Sequence, residues 1–267
     1  MSGSSTPHPD AIAAVHRAVA AGIPVVFATG RAPQDVAPIA ELVGHHWWAV
    51  CCDGTALVDL TTMQVTKTHP MSAGVLFEVV ERLRSQFPEV KFLVDRVSVG
   101  AIQAGQYGIL FEAGFKAPWA WALNGATEVQ DIVNHLNDPD IVKLAAYLPI
   151  DGESETGYLQ VRETVSDLVT AVRIHSGETF VDMNHLGISK ATGVAEIAEL
   201  NGVAQADVFA VGDMHNDVAL LEWAGFSFAV ENALPELHDI ADAIVPSNDN
   251  GGVKNVVDAA MRHLLES

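Results

Sequence analysis

The chain has 267 residues, 49% of them hydrophobic and 18% charged, which is enough core material for one large α/β domain or two smaller ones. Its 34 acidic and 14 basic residues give a formal net charge of -20, which disfavours nucleic acid and anionic membranes as partners. The two cysteines are adjacent and so exclude a disulfide framework. Without a signal-like or long apolar segment, we expect a cytoplasmic protein.

The N-terminal region alternates helices with apolar strands. A helix at 9–21 begins at a proline and ends near Gly22, and an apolar strand follows at 23–28. A second helix at 33–43 leads to a second buried strand at 47–52. This alternation predicts a parallel sheet with helical crossovers.

The last third of the chain repeats the alternation. The predicted elements are a helix at 189–200, a strand at 208–213, a helix at 216–223, a strand at 226–230 and a helix at 253–265. Both ends of the chain therefore predict an α/β fold with a doubly wound (Rossmann-like) parallel sheet.

Residues 68–182 separate these two regions and have a different pattern. A helix at 72–86 and a strand at 91–95 precede glycine-punctuated segments that contain Trp119 and Trp121. We expect these tryptophans to lie in a core. The pattern predicts an inserted α/β domain whose two ends return close together.

The strongest local signal is Val211-Gly212-Asp213-Met214-His215-Asn216-Asp217, an apolar strand that ends in Gly-Asp before Asn-Asp opens a helix. In open α/β sheets, groups at the carboxyl ends of strands line the ligand crevice. Two carboxylates with an amide between them offer oxygen ligands suited to Mg²⁺. The same residues would also serve as helix caps, so the spacing alone leaves both interpretations open.

Two weaker signals concern phosphate binding. Thr29-Gly30-Arg31 follows a buried strand, where a hydroxyl and backbone N–H groups could hold phosphate oxygens, although an ordinary turn is the alternative. Lys190 lies near a helix start, where its charge opposes the helix dipole unless an anion is also present. A surface lysine is the alternative there.

Together these motifs resemble the haloacid dehalogenase-like superfamily, specifically its Cof-type branch of Mg²⁺-dependent phosphatases. The resemblance implies that Thr29 binds phosphate and that Lys190 neutralises its charge. It implies that the Mg²⁺ ligands are Asp213 and Asp217. Further substrate contacts are implied for Gly30, Arg31, Asp53, Asn216 and Asn232. The insertion at 68–182 corresponds to the α/β cap that selects the substrate in this branch.

The first motif of that family, Asp-x-Asp-Gly-Thr after an apolar strand, is absent before the helix at 9–21. Asp53-Gly54-Thr55 resembles part of it, but this stretch follows Thr29 and occupies the place where the Cof-type pattern has Asn-Gly-Ala. We therefore expect Asp53 near the cleft and not as the nucleophile. A rearranged motif or a Cys51 nucleophile stays open. We expect the attacking aspartate upstream of Met1, on a strand central to the sheet.

The sequence predicts a Mg²⁺-dependent hydrolase of small phosphomonoesters, with core residues 1–67 and 183–267 and a cap at 68–182. Its predicted partner is a small phosphorylated metabolite, with no nucleic acid or membrane. A non-catalytic phosphate-binding relative and a sugar phosphomutase are the alternatives. We expect His215 to face solvent, with an approach to the substrate as the alternative. We expect His45 and His46 to lie at the entry to the core rather than in a metal site.

Overall fold

The computed structural model describes residues 7–44, 47–102, 108–117, 123, 125–149, 154–173 and 179–266. The predictions for His45, His46, Trp119 and Trp121 fall outside these residues. No helix in the described ranges is long and apolar enough to cross a membrane.

The first part of the chain forms a mixed sheet. Its elements are helix α1 (Pro9–Ala20), strand β1 (Val26–Ala28), helix α2 (Pro33–Val43) and strands β2 (Trp48–Cys51), β3 (Ala56–Asp59) and β4 (Gln64–Thr68). Strands β1 and β2 are parallel, as the helical crossover requires, whereas β3 and β4 add an antiparallel hairpin.

The middle of the chain forms a second sheet with two helices. Its elements are helix α3 (Ala73–Gln86), strands β5 (Lys91–Arg96), β6 (Gly100–Ala101), β7 (Ile109–Glu112), β8 (Thr127–Val129) and β9 (Ile141–Leu148), helix α4 (Ser154–Val165), and strands β10 (Val169–Arg173) and β11 (Thr179–His185). Six of these strands form one sheet in the order β10-β11-β9-β5-β7-β8, while β6 pairs with β4. The division into a cap at 68–182 and a core stays a prediction.

The six-stranded sheet β10-β11-β9-β5-β7-β8, called the cap sheet below, has two unlike faces. One face packs into the large apolar cluster that includes Leu76 of α3, Val161 of α4, Leu144 and Met183. Because side chains alternate along a strand, the neighbouring residue Lys143 points to the opposite face, where it reaches the Gly30 carbonyl of the core. Polar side chains of the cap sheet therefore meet the core.

The last part of the chain forms a parallel three-stranded sheet with helices. Its elements are helix α5 (Lys190–Leu200), strand β12 (Phe209–Gly212), helix α6 (Val218–Trp223), strand β13 (Phe226–Val230), helix α7 (Pro235–Ile240), strand β14 (Ala243–Val245) and helix α8 (Gly252–Glu266). The strand order is β12-β13-β14, and both pairings are parallel.

The α/β class is confirmed, but the expected single parallel sheet is divided in two. Among the described strands, β1 pairs only with β2 and β12 pairs only with β13. The two sheets still share one apolar core, in which Val50, Ile197 and Ala210 belong to the same cluster. Helix α5 packs against β1 and β2 of the first sheet and against α6 and the turn at 215–217 beside the second. The residues that follow β1 and β12 therefore meet near its first residue, Lys190.

Gly54 allows the turn after β2 to lie against the start of α5. Its φ is +109°, and an added Cβ would lie 2.0 Å from the carbonyl oxygen of Ser189, the residue before Lys190. We expect Gly54→Ala to lower the free energy of unfolding by about 2 kcal/mol or more, because a backbone atom must move.

A matched control is Gly74→Ala in α3, where no atom lies within 4 Å of the added Cβ. Its expected change is below about 1 kcal/mol, because alanine suits a helix. Urea unfolding of both variants measures the two effects. Equal effects at the two glycines would contradict the close approach at Gly54.

Candidate active site

The turn after β1 holds the predicted phosphate-binding residues. The Thr29 amide donates to the Val50 carbonyl at 2.8 Å, and the Thr29 hydroxyl oxygen accepts a hydrogen bond from the Arg31 amide at 3.1 Å. The Gly30 carbonyl accepts a hydrogen bond from Lys143 Nζ at 2.8 Å. The turn is therefore fixed on one side by the sheet and on the other by the cap.

Asp53 lies between this turn and the segment at 213–217 after β12, called the acidic loop below. Its backbone has a φ of +54°, and the residue is 1% exposed. Its amide donates to the Thr29 carbonyl at 3.1 Å, and its Oδ1 accepts a hydrogen bond from Asn216 Nδ2 at 2.8 Å. Asp53 thus connects two of the three predicted motifs.

Asp217 organises the acidic loop. Its Oδ1 accepts a hydrogen bond from Lys190 Nζ at 2.7 Å. Its Oδ2 accepts the backbone N–H groups of Asp213 at 3.0 Å and Met214 at 3.1 Å. Both carboxylate oxygens are therefore engaged in holding Lys190 and the loop in place.

Lys190 is the first residue of α5 and is buried, with 5% exposure. Burial alone would lower the pKa of its ammonium group. Nearby carboxylates outweigh this effect and raise the pKa above its ordinary value; they belong to Asp217, Asp53 and Asp213. The lysine is therefore held as a cation beside the two motifs.

Asn248, which sequence reasoning missed, contacts two predicted residues. Its Nδ2 donates to Asp213 Oδ2 at 3.1 Å, and its backbone N–H donates to Asn232 Oδ1 at 3.0 Å. It lies in a short turn after β14. The only signal in the sequence is an amide-rich stretch at 247–250, which is typical of any turn.

The acidic loop can be tested as a metal site by the chemistry of its donors. Among the described residues, no group of three or more His, Cys, Asp and Glu side chains is arranged to hold a metal ion. Mg²⁺ commonly takes one or two carboxylates and completes its shell with water and phosphate oxygens, so Asp213 and Asp217 fit it. Because Asp217 already accepts three hydrogen bonds, Asp213 is the better placed direct ligand.

The expectation that His215 faces solvent is wrong. Its side chain is only 14% exposed, and its Nδ1 pairs with Glu236 Oε1. Strand β10 of the cap sheet contacts the turn at 215–217, which accounts for the burial. His215 is therefore covered by the cap rather than exposed beside it.

Both cysteines lie in the apolar interior. Cys51 and Cys52 are fully buried, and burial raises the pKa of both thiols. A nucleophilic cysteine needs an accessible thiol with a lowered pKa. These properties disfavour Cys51 as the attacking group.

A buried charge cluster joins the cap sheet to the core, and sequence reasoning missed it. Lys143, in the middle of β9, is 6% exposed. Besides the Gly30 carbonyl, its Nζ contacts Asp182 Oδ2 at 3.1 Å and Asp95 Oδ2 at 3.3 Å. Burial would lower the pKa of Lys143, but these carboxylates and Asp53 raise it above its ordinary value.

Asp182 is a second buried member of this cluster. Burial raises its pKa to about 6, against the opposing effect of Lys143. Because folding raises this pKa, protonated Asp182 stabilises the fold at a pH below its ordinary pKa of about 4. This stabilisation is lost as the pH rises through about 6.

Asp182→Asn is expected to remove this pH dependence. Relative to wild type, the free energy of unfolding of the variant should rise by about 2–3 kcal/mol between pH 4 and pH 7. Urea unfolding across this range measures the difference, with Asp239→Asn as a control at an exposed position. A difference that stays constant with pH would show that Asp182 does not titrate there.

The chain is similar to known proteins over nearly its whole length. The sequence profile of the haloacid dehalogenase-like hydrolases matches residues 2–257. A phosphatase of that superfamily from Bacteroides thetaiotaomicron, BT1666, has a similar structure, with a TM-score of 0.77 and 23% identity, over 98% of this chain and 90% of its own. The subclass IIB sugar phosphatase BT4131 gives a TM-score of 0.72 and 14% identity, over 98% and 93% of the two chains.

Two phosphatases illustrate the similarity in sequence. The 5-amino-6-(5-phospho-D-ribitylamino)uracil phosphatase YwtE of Bacillus subtilis is 24% identical over 92% of this chain and 88% of its own length. The phosphatase of the same description from Escherichia coli, YbjI, is 34% identical over 39% of this chain. That match spans 37% of YbjI, and the match to the putative phosphatase YxeH of Bacillus subtilis spans 40% of YxeH.

The chain belongs to the haloacid dehalogenase-like hydrolases, because their profile matches nearly its whole length. The resemblance to the Cof-type branch, class IIB, is also confirmed by the relatives and by the shared fold.

Proposed function

We propose that the protein is a Mg²⁺-dependent phosphatase of small phosphomonoesters. The observation that carries the proposal is the buried Lys190, which Asp217 holds at 2.7 Å beside the acidic loop. A buried ammonium group at the meeting point of two strand ends is suited to neutralise a transferring phosphoryl group. The names of YwtE and YbjI, both phosphatases, support the same reaction class.

Each residue has a defined part in this proposal. Thr29 donates its hydroxyl hydrogen to a phosphate oxygen, and Lys190 offsets the charge that develops on the phosphoryl group. Asp53 orients the Asn216 amide through their 2.8 Å hydrogen bond. Asp213, supported by Asp217, would hold Mg²⁺, which when bound neutralises negative charge on the phosphate oxygens.

The substrate-facing turn contributes further contacts. Gly30 lets the backbone approach the phosphate closely because it has no side chain. It also leaves room for Asp53, since a Cβ at Gly30 would lie 3.0 Å from Asp53 Oδ2. Arg31 adds a cation near this turn, and Asn232 is held against Asn248 at the far side of Asp213. The proposed substrate is the phosphate ester of a small sugar or of a cofactor fragment.

The proposed nucleophile is an aspartate on a strand that precedes residue 1. Its carboxylate oxygen attacks phosphorus and the bond from phosphorus to the alcohol oxygen breaks, while the second aspartate of the same motif donates a proton to the departing alcohol oxygen. That aspartate then takes a proton from water, which hydrolyses the aspartyl phosphate to free phosphate and restores the carboxylate. The support is the pair of strands β1 and β12, whose outer edges pair with no described strand. The carboxylates of Asp53 and Asp217 are already tied to Asn216 and Lys190.

Phosphate release from p-nitrophenyl phosphate and from sugar phosphates tests this proposal, using protein isolated from its native cells. We expect hydrolysis that EDTA abolishes, together with an intact mass larger than that of the 267-residue chain. Lys190→Met should lower kcat/KM by about a thousandfold, since it removes the charge that offsets the phosphoryl group. Lys254→Met, at a half-exposed lysine of α8, is the matched control and should leave kcat/KM unchanged.

Three outcomes would contradict the proposal in part or in full. Hydrolysis that persists in EDTA would exclude the assigned role of Mg²⁺. An unaltered kcat/KM in Lys190→Met would exclude the role of Lys190. Mg²⁺-dependent phosphate binding without turnover, by native protein of unchanged mass, would instead support a non-catalytic phosphate-binding protein.

A further inference from the structure

The cap sheet carries a row of polar residues on the face that meets the core. Asn184 of β11 lies directly opposite Lys143 of β9, and Lys143 lies directly opposite Asp95 of β5. Asp182 precedes Asn184 by two residues on the same strand, so it shares this face. Three neighbouring strands therefore place an amide, an ammonium group and two carboxylates together beside Gly30.

The charge of this row is unbalanced. Lys143 contacts the carboxylates of Asp182 and Asp95, and its Nζ lies 3.9 Å from Asp53 Oδ2. One ammonium group therefore faces three carboxylates. On the core side, Asp35 and Arg31 add one charge of each sign, as do Asp217 and Lys190 beside Asp53, so the surplus of carboxylates remains.

Asn184 gives an independent indication that this row binds a ligand. Its side chain is fully buried, yet neither Nδ2 nor Oδ1 has a hydrogen-bond partner within the described part of the chain. The buried Asp53 Oδ2, on the other side of Lys143, also lacks a hydrogen bond. A buried polar group without a partner costs about 1–3 kcal/mol, so such groups in a folded protein usually have a further partner to bind.

We propose that Asn184, Lys143 and Asp182 form the subsite for the leaving group and select a neutral polyhydroxylated group over one that carries a second anion. The inference rests on the proposed phosphatase function. A primary amide both donates to and accepts from hydroxyl groups, Lys143 donates, and Asp182 accepts. The surplus of carboxylates repels an anionic leaving group, which is how a binding site rejects a competitor.

A matched pair of esters tests this selectivity. Sorbitol 6-phosphate and 6-phosphogluconate have the same carbon chain, but the second carries a carboxylate where the first carries a hydroxymethyl group. Their affinities for the 267-residue chain with Mg²⁺ are measured by calorimetry, and phosphate release is measured with protein isolated from its native cells. We expect wild type to bind sorbitol 6-phosphate at least about tenfold more tightly.

Two variants and one control separate binding from structure. Asn184→Ala should weaken the binding of sorbitol 6-phosphate by about tenfold and that of 6-phosphogluconate by less, so that the ratio of the two affinities falls. Asp182→Asn should lower the ratio of the two affinities by strengthening the binding of 6-phosphogluconate, because it removes one repelling charge. Asn134→Ala, in an exposed turn of the cap, should leave both affinities unchanged.

The outcomes distinguish the subsite from the reaction. Equal wild-type affinities, no binding of either ester, or equal losses of both affinities in Asn184→Ala would overturn the subsite. The expected ratio without phosphate release supports the subsite and counts against the phosphatase function. Phosphate release without the expected ratio of affinities supports the phosphatase function and counts against the subsite. Circular dichroism checks that each variant is folded, and Asp182→Asn provides the test if Asn184→Ala is not.

Discussion

Replacing Asp217 with alanine is expected to lower the free energy of unfolding by about 3–5 kcal/mol, because it leaves a buried cation without its partner. The Lys190 ammonium donates to Asp217 Oδ1 at 2.7 Å, and both side chains are almost inaccessible to solvent. The same change removes the acceptor for the N–H groups of Asp213 and Met214. Loss of stability and loss of the loop geometry therefore occur together.

Urea unfolding of Asp217→Ala and Asp239→Ala separates this effect from a general loss of negative charge. Asp239 is exposed on α7, and its replacement should change stability by less than about 0.5 kcal/mol. A loss of similar, small size in both variants would mean that Lys190 does not depend on Asp217 for its charge.

Replacing Lys143 with methionine is expected to lower the free energy of unfolding by about 3 kcal/mol, since buried carboxylates are left without a cation. Lys143 Nζ also donates to the Gly30 carbonyl at 2.8 Å, so the variant removes the described hydrogen bond from the cap sheet to the turn after β1. The loss should exceed that of Lys67→Met by severalfold. Lys67 pairs with Glu196 at 2.6 Å but is 51% exposed, and exposed ion pairs contribute only about 0–1 kcal/mol.

A double-mutant cycle isolates the contribution of the buried pair. In the Asp182→Asn background, Lys143→Met should cost less by at least about 1 kcal/mol, because one unpaired carboxylate is then absent. Urea unfolding of the single variants, the double variant and wild type gives the coupling energy. Additive losses would show that Lys143 does not stabilise the charge of Asp182.

Sequence periodicity predicted the elements that build the core. The helix expected at 189–200 is α5, Lys190–Leu200, and the strand expected at 208–213 is β12, Phe209–Gly212. Both have clear local signals, namely a capping serine at Ser189 and a short apolar run that ends at Gly-Asp. The resemblance to the haloacid dehalogenase-like family then joined Lys190, Asp213 and Asp217 in one prediction, because each motif alone left an ordinary turn or surface residue as the alternative.

The charge cluster on the cap sheet could not be predicted in the same way. Every residue of β9 is buried, so the strand lacks the alternation that marks a half-exposed strand. Lys143, Asp95 and Asp182 are brought together by strand pairing between distant parts of the chain. Nothing in the sequence near Lys143 identifies these partners, because the pairing depends on the order of the strands in the sheet.

Calorimetric titration of the full chain with inorganic phosphate tests most directly whether Lys190 and Asp213 form a Mg²⁺-dependent phosphate site. We expect binding that requires Mg²⁺ and that weakens by at least about tenfold in Lys190→Met and in Asp213→Asn, but not in Lys254→Met. Phosphate binding of equal strength without Mg²⁺, or binding unaffected by Lys190→Met, would contradict the site assigned to these residues.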